Sequence, residues 1–237
     1  MSASDQQVPF HRTVVSYVRR SERTTTGQQR AWDRYWPELG AEIDALPEGT
    51  LDVSGWFGRS APVILEIGSG MGEATAELAT ARPDANHLAV EVYKPGLAQL
   101  LLRIEKLGLD NLRLLRGDAV MLLRNHIEPN SLSEIRVFFP DPWPKKRHHK
   151  RRLVQDDIVE MMASRLAVGG FLHLATDWEQ YAEQMLEMCH EQPTLRNHHA
   201  DMPGGWAPRP EWRPVTKFEQ RAEEEGRVIR DLVFERI

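Results

Sequence analysis

The sequence predicts an α/β fold, an open and mostly parallel sheet with helices on both faces. Three observations predict it. Short apolar, β-prone runs alternate with helical segments through the middle of the chain, the pattern left by parallel strands and crossover helices. A glycine loop, Gly68-Ser-Gly-Met-Gly72, directly follows the first of these runs. An acidic residue also stands at or just after the end of each of five successive strands, where the ligand crevice of such a sheet lies.

In chain order, residues 1–27, rich in Arg, Ser and Thr, are expected to form a mobile basic arm ahead of a single domain over 28–237. A helical stretch is expected from Trp32 to Leu46, with Pro37 starting its second part. Ala61 to Ile67 reads as a buried strand running into the glycine loop and a helix from Glu73 to Ala81. Further strands are expected at His87 to Glu91, Leu112 to Arg116, Ile135 to Phe139 and Phe171 to Ala175. Between them lie helical segments such as Gly96 to Leu107, Ala119 to His126 and Leu153 to Leu166. In the last of these, Leu153, Val154, Ile158, Met161, Met162 and Leu166 share one face. Val228 to Phe234 reads as a final strand after a helix that Gly226 closes.

The composition, 41% hydrophobic and 27% charged over 237 residues, is globular. No apolar run approaches the ~20 residues that span a bilayer, and the opening Met1-Ser-Ala-Ser lacks the layout of a secretory signal. A soluble, cytoplasmic protein is expected. The single Cys189 excludes an internal disulfide, argues against structural zinc, and reads as a small apolar residue on a buried helix face. The net charge of −5 hides an asymmetry: residues 1–36 sum to +3, Lys145 to Arg152 to +6, and the rest to −14. An acidic body with two basic segments fits a local grip on a polyanion.

The acids in question are Glu66, Glu91, Asp118, Asp141 and Asp177. Any one of them reads equally well as a helix N-cap or a surface acid; five in register point to the crevice. The dinucleotide fingerprint fails, because its third glycine position holds Glu73, a carboxylate where pyrophosphate would meet a helix N-terminus. No Gly-Lys-Ser/Thr of a Walker loop occurs either. What remains is a ligand that tolerates acids. S-adenosylmethionine fits, with its ribose, adenine amine, α-ammonium and sulfonium and no phosphate.

A second constellation is Phe138-Phe-Pro-Asp-Pro-Trp-Pro144, followed by Lys145-Lys-Arg-His-His-Lys-Arg-Arg152. Three prolines in five positions stiffen the loop that carries Asp141. Trp143 reads either as a stacking surface for a nucleobase or as packing for the loop itself. The basic run reads as a solvated helix start or, from its place beside the crevice, as a phosphate grip. No metal is expected at His148 and His149 or at His198 and His199, since adjacent histidines project apart.

With these residues in view, the chain resembles the bacterial tRNA (guanine-N7)-methyltransferases. The resemblance rests on Glu66-Ile-Gly-Ser-Gly-Met-Gly-Glu73, Phe139-Pro-Asp-Pro-Trp-Pro-Lys-Lys146 with its basic continuation, Ala175-Thr-Asp-Trp178 and Thr216-Lys-Phe-Glu219, and covers roughly residues 10 to 237. It implies a class I methyltransferase (Rossmann-like) fold with a mostly parallel seven-stranded sheet and an antiparallel last strand. It also implies methyl transfer from S-adenosyl-L-methionine to N7 of guanine-46 in the tRNA variable loop.

Carried over by position, Glu66, Gly68, Gly70, Glu91, Asp118 and Asp141 bind cofactor, with Asp141 also catalytic. Lys145, Asp177, Thr216, Lys217, Phe218 and Glu219 bind substrate, and Arg147, His148, His149, Lys150, Arg151 and Arg152 contact RNA. Thr216 to Glu219 is also a Thr-x-x-Glu capping box, and both roles are compatible. Two other functions stay open at this point: methyl transfer to a small molecule or protein, and non-catalytic RNA binding on the same fold. Neither monomer nor homodimer is favoured.

Overall fold

The computed structural model describes residues 23–237; most of the expected basic arm lies outside the described residues. Eight strands form one sheet in the order β1-β4-β3-β2-β5-β6-β8-β7. The strands are β1 Gly40–Glu42, β2 Val63–Ile67, β3 Asn86–Glu91, β4 Leu112–Arg116, β5 Leu132–Phe138, β6 Leu166–Thr176, β7 Leu195–Asn197 and β8 Arg230–Arg236. β8 runs antiparallel to both of its neighbours, and all other pairings are parallel. The expected seven strands become eight because β1 adds to the β4 edge, pairing Gly40 with Leu114 and Glu42 with Arg116. Three residues are too few to show a strand periodicity in sequence.

The helices are α1 Thr26–Leu39, α2 Val53–Phe57, α3 Glu73–Ala81, α4 Lys94–Leu107, α5 Ala119–Asn125, α6 Asp156–Arg165, α7 Glu179–Glu191 and α8 Lys217–Glu224. α1 starts six residues before Trp32 because Thr25 and Gln28 form a reciprocal capping box. Thr26 and Gly27, expected in the arm, are therefore helical. Pro37 sits inside its last turn, where the helix ends two residues later in any case. α6 begins only at Asp156, after an extended Gln155 at φ −134° and ψ 162°, and the Val154 N–H before it donates to Tyr181 Oη at 3.0 Å.

Apolar clusters cover both faces of the sheet. α1, α3 and α4 pack Ala31, Ala76, Leu97, Leu100 and Leu101 against Ala89 and Leu114, while α5, α6 and α7 close the larger cluster around Leu65, Ile135 and Leu174. Cys189 on α7 is buried, and burial pushes its thiol up to about 12. Among the described residues no helix is long and apolar enough to cross a membrane. From β2 the chain steps outward through β3 and β4, then returns to β5 on the other side of β2. The crevice outside the carboxyl end of β2 is thus the topological switch point, where open α/β sheets bind ligands.

Candidate active site

The glycine loop leaves β2 at this point. Gly68 and Gly70 have φ of +85° and +56°, conformations that disfavour any side chain, and nothing stands within 4 Å of where their Cβ atoms would be. A ligand thus has room against bare backbone. Glu91, at the end of β3, braces the loop: its Oε2 accepts from the Gly70 N–H at 2.8 Å and its Oε1 from Val92 and Tyr93 at 2.7 and 2.9 Å. Gly96 in the first turn of α4 lies so close to the Gly70 carbonyl that a methyl group would overlap it.

Glu66 is more enclosed than a crevice acid. Its Oε1 accepts from Thr75 Oγ1 at 2.9 Å, and burial raises its carboxyl above the usual range against the pull of Arg136. Asp118 is the N-cap of α5, its Oδ1 accepting from Val120 N–H at 2.7 Å. A carboxylate has about four acceptor sites, so capping and bracing leave capacity for ribose or amine donors. Glu91 against open glycine backbone, with Asp118 and Asp141 following the neighbouring strands β4 and β5, offers acceptors that suit a cationic, hydroxylated ligand such as S-adenosylmethionine and do not suit a phosphate.

Asp141 is exposed at the carboxyl end of β5. It is bracketed by two non-glycine residues in the left-handed region, Phe139 at φ +51° and Trp143 at φ +44°. Such conformations cost roughly 1–3 kcal/mol each and gather at functional sites. The Phe139 N–H donates to the Ala175 carbonyl at 2.8 Å, tying the loop to β6. Trp143 packs on the basic run, edge-on to His148 and 5.0 Å below the Arg151 guanidinium.

The run itself forms a 3-10 turn over Lys146–Arg151. Lys145, Lys146, Arg147 and Lys150 are exposed, whereas His148 and His149 are half-buried. Arg152 departs from the expectation of an RNA contact. Its side chain is buried, Nε donating to the Pro142 carbonyl and Nη1 to Gln184 Oε1, because Tyr181 and Gln184 of α7 offer a pocket that the rest of the run lacks.

The C-terminal segment brings a third group. Thr216 caps α8, accepting from Glu219 N–H at 3.2 Å, but the capping box is only half formed. The Glu219 carboxylate turns inward to Arg209 at 2.6 Å and Arg213 at 3.4 Å, fully buried, with Oε2 lacking a hydrogen-bond partner. Arg213 also holds Asp231 at 2.8 Å, which in turn meets His173 at 2.9 Å. Phe218 is exposed, Lys217 opens α8, and Asp177, after β6, pairs with Arg227 at 2.8 Å. Arg209, Arg213 and Arg227 carry no sequence signal of these roles, since their partners lie far off or in another element. Among the described residues no group of three or more His, Cys, Asp or Glu could hold a metal.

A doubly covered parallel sheet with an antiparallel strand near one edge, and an acid-braced glycine loop at its switch point, defines a class I, S-adenosylmethionine-dependent methyltransferase. The family described as "Putative methyltransferase" matches residues 60–232. A protein of Streptomyces avermitilis is 48% identical over 96% of this chain and 77% of its own length, and one of Burkholderia cenocepacia is 50% identical over 98% and 88%. Both are named tRNA (guanine-N(7)-)-methyltransferase. The chain belongs to this family. In fold it also matches a Streptococcus mutans protein described as "a putative methyltransferase" and solved with S-adenosylhomocysteine, at a TM-score of 0.50 and 13% identity over 75% of this chain and 90% of that one.

Proposed function

We propose that this chain transfers the methyl group of S-adenosyl-L-methionine to N7 of guanine-46 in the variable loop of tRNA, in the cytoplasm. The observation that carries this reading is the juxtaposition of Asp141, on a strained loop at the switch point, with the exposed cations of the basic run. It joins a methyl-donor crevice to a polyanion grip within a dozen residues. When bound, S-adenosylmethionine supplies the electrophilic methyl group.

The chain's own residues then have three tasks. Gly68 and Gly70 present backbone to the cofactor while Glu66, Glu91 and Asp118 accept from its hydroxyl and amine donors. Lys145, Asp177, Thr216, Lys217 and Phe218 hold the target nucleotide, with Asp177 accepting from guanine N1–H and N2–H₂, donors that adenine does not present in that pattern, while Glu219, buried against Arg209 and Arg213, supports this segment from within and does not touch the base. Lys146, Arg147, Lys150 and Arg151, with His148 and His149 beside them, follow the phosphate backbone. N7 carries an in-plane lone pair and no proton, so no general base is required. Catalysis reduces to alignment and to stabilising the positive charge that moves onto the purine, the role assigned to Asp141.

The test is incubation of unmodified tRNA with labelled S-adenosylmethionine, followed by nucleoside analysis, alongside tRNA carrying 7-deazaguanosine at position 46. Label in 7-methylguanosine from the first and none from the second supports the reading. Incorporation that survives the 7-deaza replacement refutes it, because N1 and N2 are unchanged in that analogue.

A further inference from the structure

One arginine of the basic run faces inward. Arg152 is 1% exposed, and no carboxylate pairs with it among the described residues. Its Nε donates to the Pro142 carbonyl at 2.8 Å, its Nη1 donates to Gln184 Oε1 at 2.5 Å, and its guanidinium lies 4.6 Å from the Tyr181 ring centroid. Gln184 is itself fixed by donating to the Val154 carbonyl at 3.2 Å. An enclosed cation without a counter-charge is costly. This one is kept by two directed hydrogen bonds and an aromatic face, a combination that guanidinium geometry supplies and an ammonium does not.

What Arg152 holds matters. Pro142 follows Asp141 directly, and the prolines of this loop have no N–H with which to anchor themselves. The loop is fastened on one side by the Phe139 N–H to Ala175 and on the other by Arg152 at Pro142. Between the fastenings stand Asp141 and the left-handed Phe139; Trp143, the second left-handed residue, follows immediately.

We propose that Arg152 is a positioning residue for methyl transfer, acting through the Pro142 carbonyl to fix the Asp141 carboxylate and taking no part in the phosphate grip. This rests on the functional reading above, and the experiment separates the two. Wild type, Arg152→Met, Arg152→Lys and Gln184→Leu are compared for kcat and KM on unmodified tRNA, for tRNA Kd against salt, and for cooperative melting. Arg152→Met is expected to lower kcat at least tenfold while KM and Kd stay within about twofold and the log–log salt slope is unchanged. Arg152→Lys, whose single nitrogen can keep one of the two hydrogen bonds, recovers part of the loss. Gln184→Leu, which leaves the Pro142 bond, has the smallest effect.

Wild-type kcat in Arg152→Met overturns the proposal. So does a slope shallower by about one unit, the mark of a lost phosphate contact. If Arg152→Met does not melt cooperatively, the charge-conserving Arg152→Lys decides: reduced kcat at constant KM and slope supports positioning, and wild-type kcat refutes it. A wild-type enzyme that makes no 7-methylguanosine overturns the functional reading and this proposal with it; an active wild type with unchanged variants overturns the proposal alone.

Discussion

Replacing Gly96 with alanine adds one methyl group where the chain has no room for it. The added carbon would overlap the carbonyl oxygen of Gly70, a backbone atom that cannot rotate away. Restoring ordinary van der Waals distance requires the start of α4 and the glycine loop to separate by about 1 Å. Overpacking of this kind costs roughly 1–3 kcal/mol, against which alanine in a helix regains up to about 1 kcal/mol over glycine. The net loss of stability is therefore small, about 0–2 kcal/mol, or a few degrees in Tm for a chain of this length.

The cofactor site bears the larger effect. The shift moves Gly70 out of the place where its N–H donates to Glu91 at 2.8 Å, so cofactor binding has to drive the loop back against the overlap, at a cost of about 1.5–3 kcal/mol, the upper part of the overpacking range. That corresponds to a roughly 10- to 100-fold weaker Kd for S-adenosylhomocysteine, measured by calorimetric titration. Gly27→Ala is the control, a helical glycine with open space around it, which should leave stability at or slightly above wild type and Kd unchanged. A Gly96→Ala protein that binds within twofold of wild type would show that the contact between α4 and the loop does not set cofactor affinity.

Asp141→Ala should lower kcat about 10²- to 10³-fold, the usual cost of removing one preorganised electrostatic group, while the exposed position leaves cooperative melting intact; near-wild-type turnover would contradict its role. Neutralising any two of Lys146, Arg147 and Lys150 should flatten the salt dependence of tRNA binding by roughly 1–2 log–log units without changing cofactor affinity, and an unaltered slope would return the run to a merely solvated surface. His87 gives a pH dependence: burial first, then repulsion from Arg136, lowers its pKa to about 4 from 6.5. The unfolded chain then takes up the proton first, so this contribution to stability is complete above about pH 6.5 and is lost as pH falls through 4. Urea midpoints from pH 7 to pH 4 should fall less steeply for His87→Gln than for wild type, and parallel curves would refute the assignment.

The parts of the fold legible in the sequence are those whose cause is local. α3 and β4 end where the sequence indicates, at Glu73 and Ala81 and at Leu112 and Arg116, because glycine, proline and the apolar pattern change at their boundaries. The capping box at Thr25 and Gln28 is equally local, but basic composition makes the segment before Trp32 read as an arm. The places of Glu91, Asp118 and Asp141 at or just after the carboxyl ends of strands are legible, because the change from strand to loop there is local. The inward turn of Arg152 is not, since its charge matches its neighbours' and Gln184 lies 32 residues away. The same holds for Glu219, whose sequence signal is the local cap and whose carboxylate answers instead to Arg209 and Arg213 across a loop.

These nonlocal contacts converge on the segment that the proposed chemistry needs held still. Arg213 lies 5.5 Å from the Phe138 ring and 5.4 Å from the Phe139 ring while gripping Asp231 on β8, so the loop's entry is clamped to the last strand. Arg152 clamps its exit to α7. Two left-handed non-glycine residues would relax in a loop without such anchors, because each is strained by an amount comparable to a hydrogen bond. An attack by a proton-free lone pair asks the protein for geometry rather than for proton transfer. A small misplacement at the reacting centre is costly in rate, and holding Asp141 between two buried arginines places that cost in the folding of the chain, before tRNA or cofactor arrives.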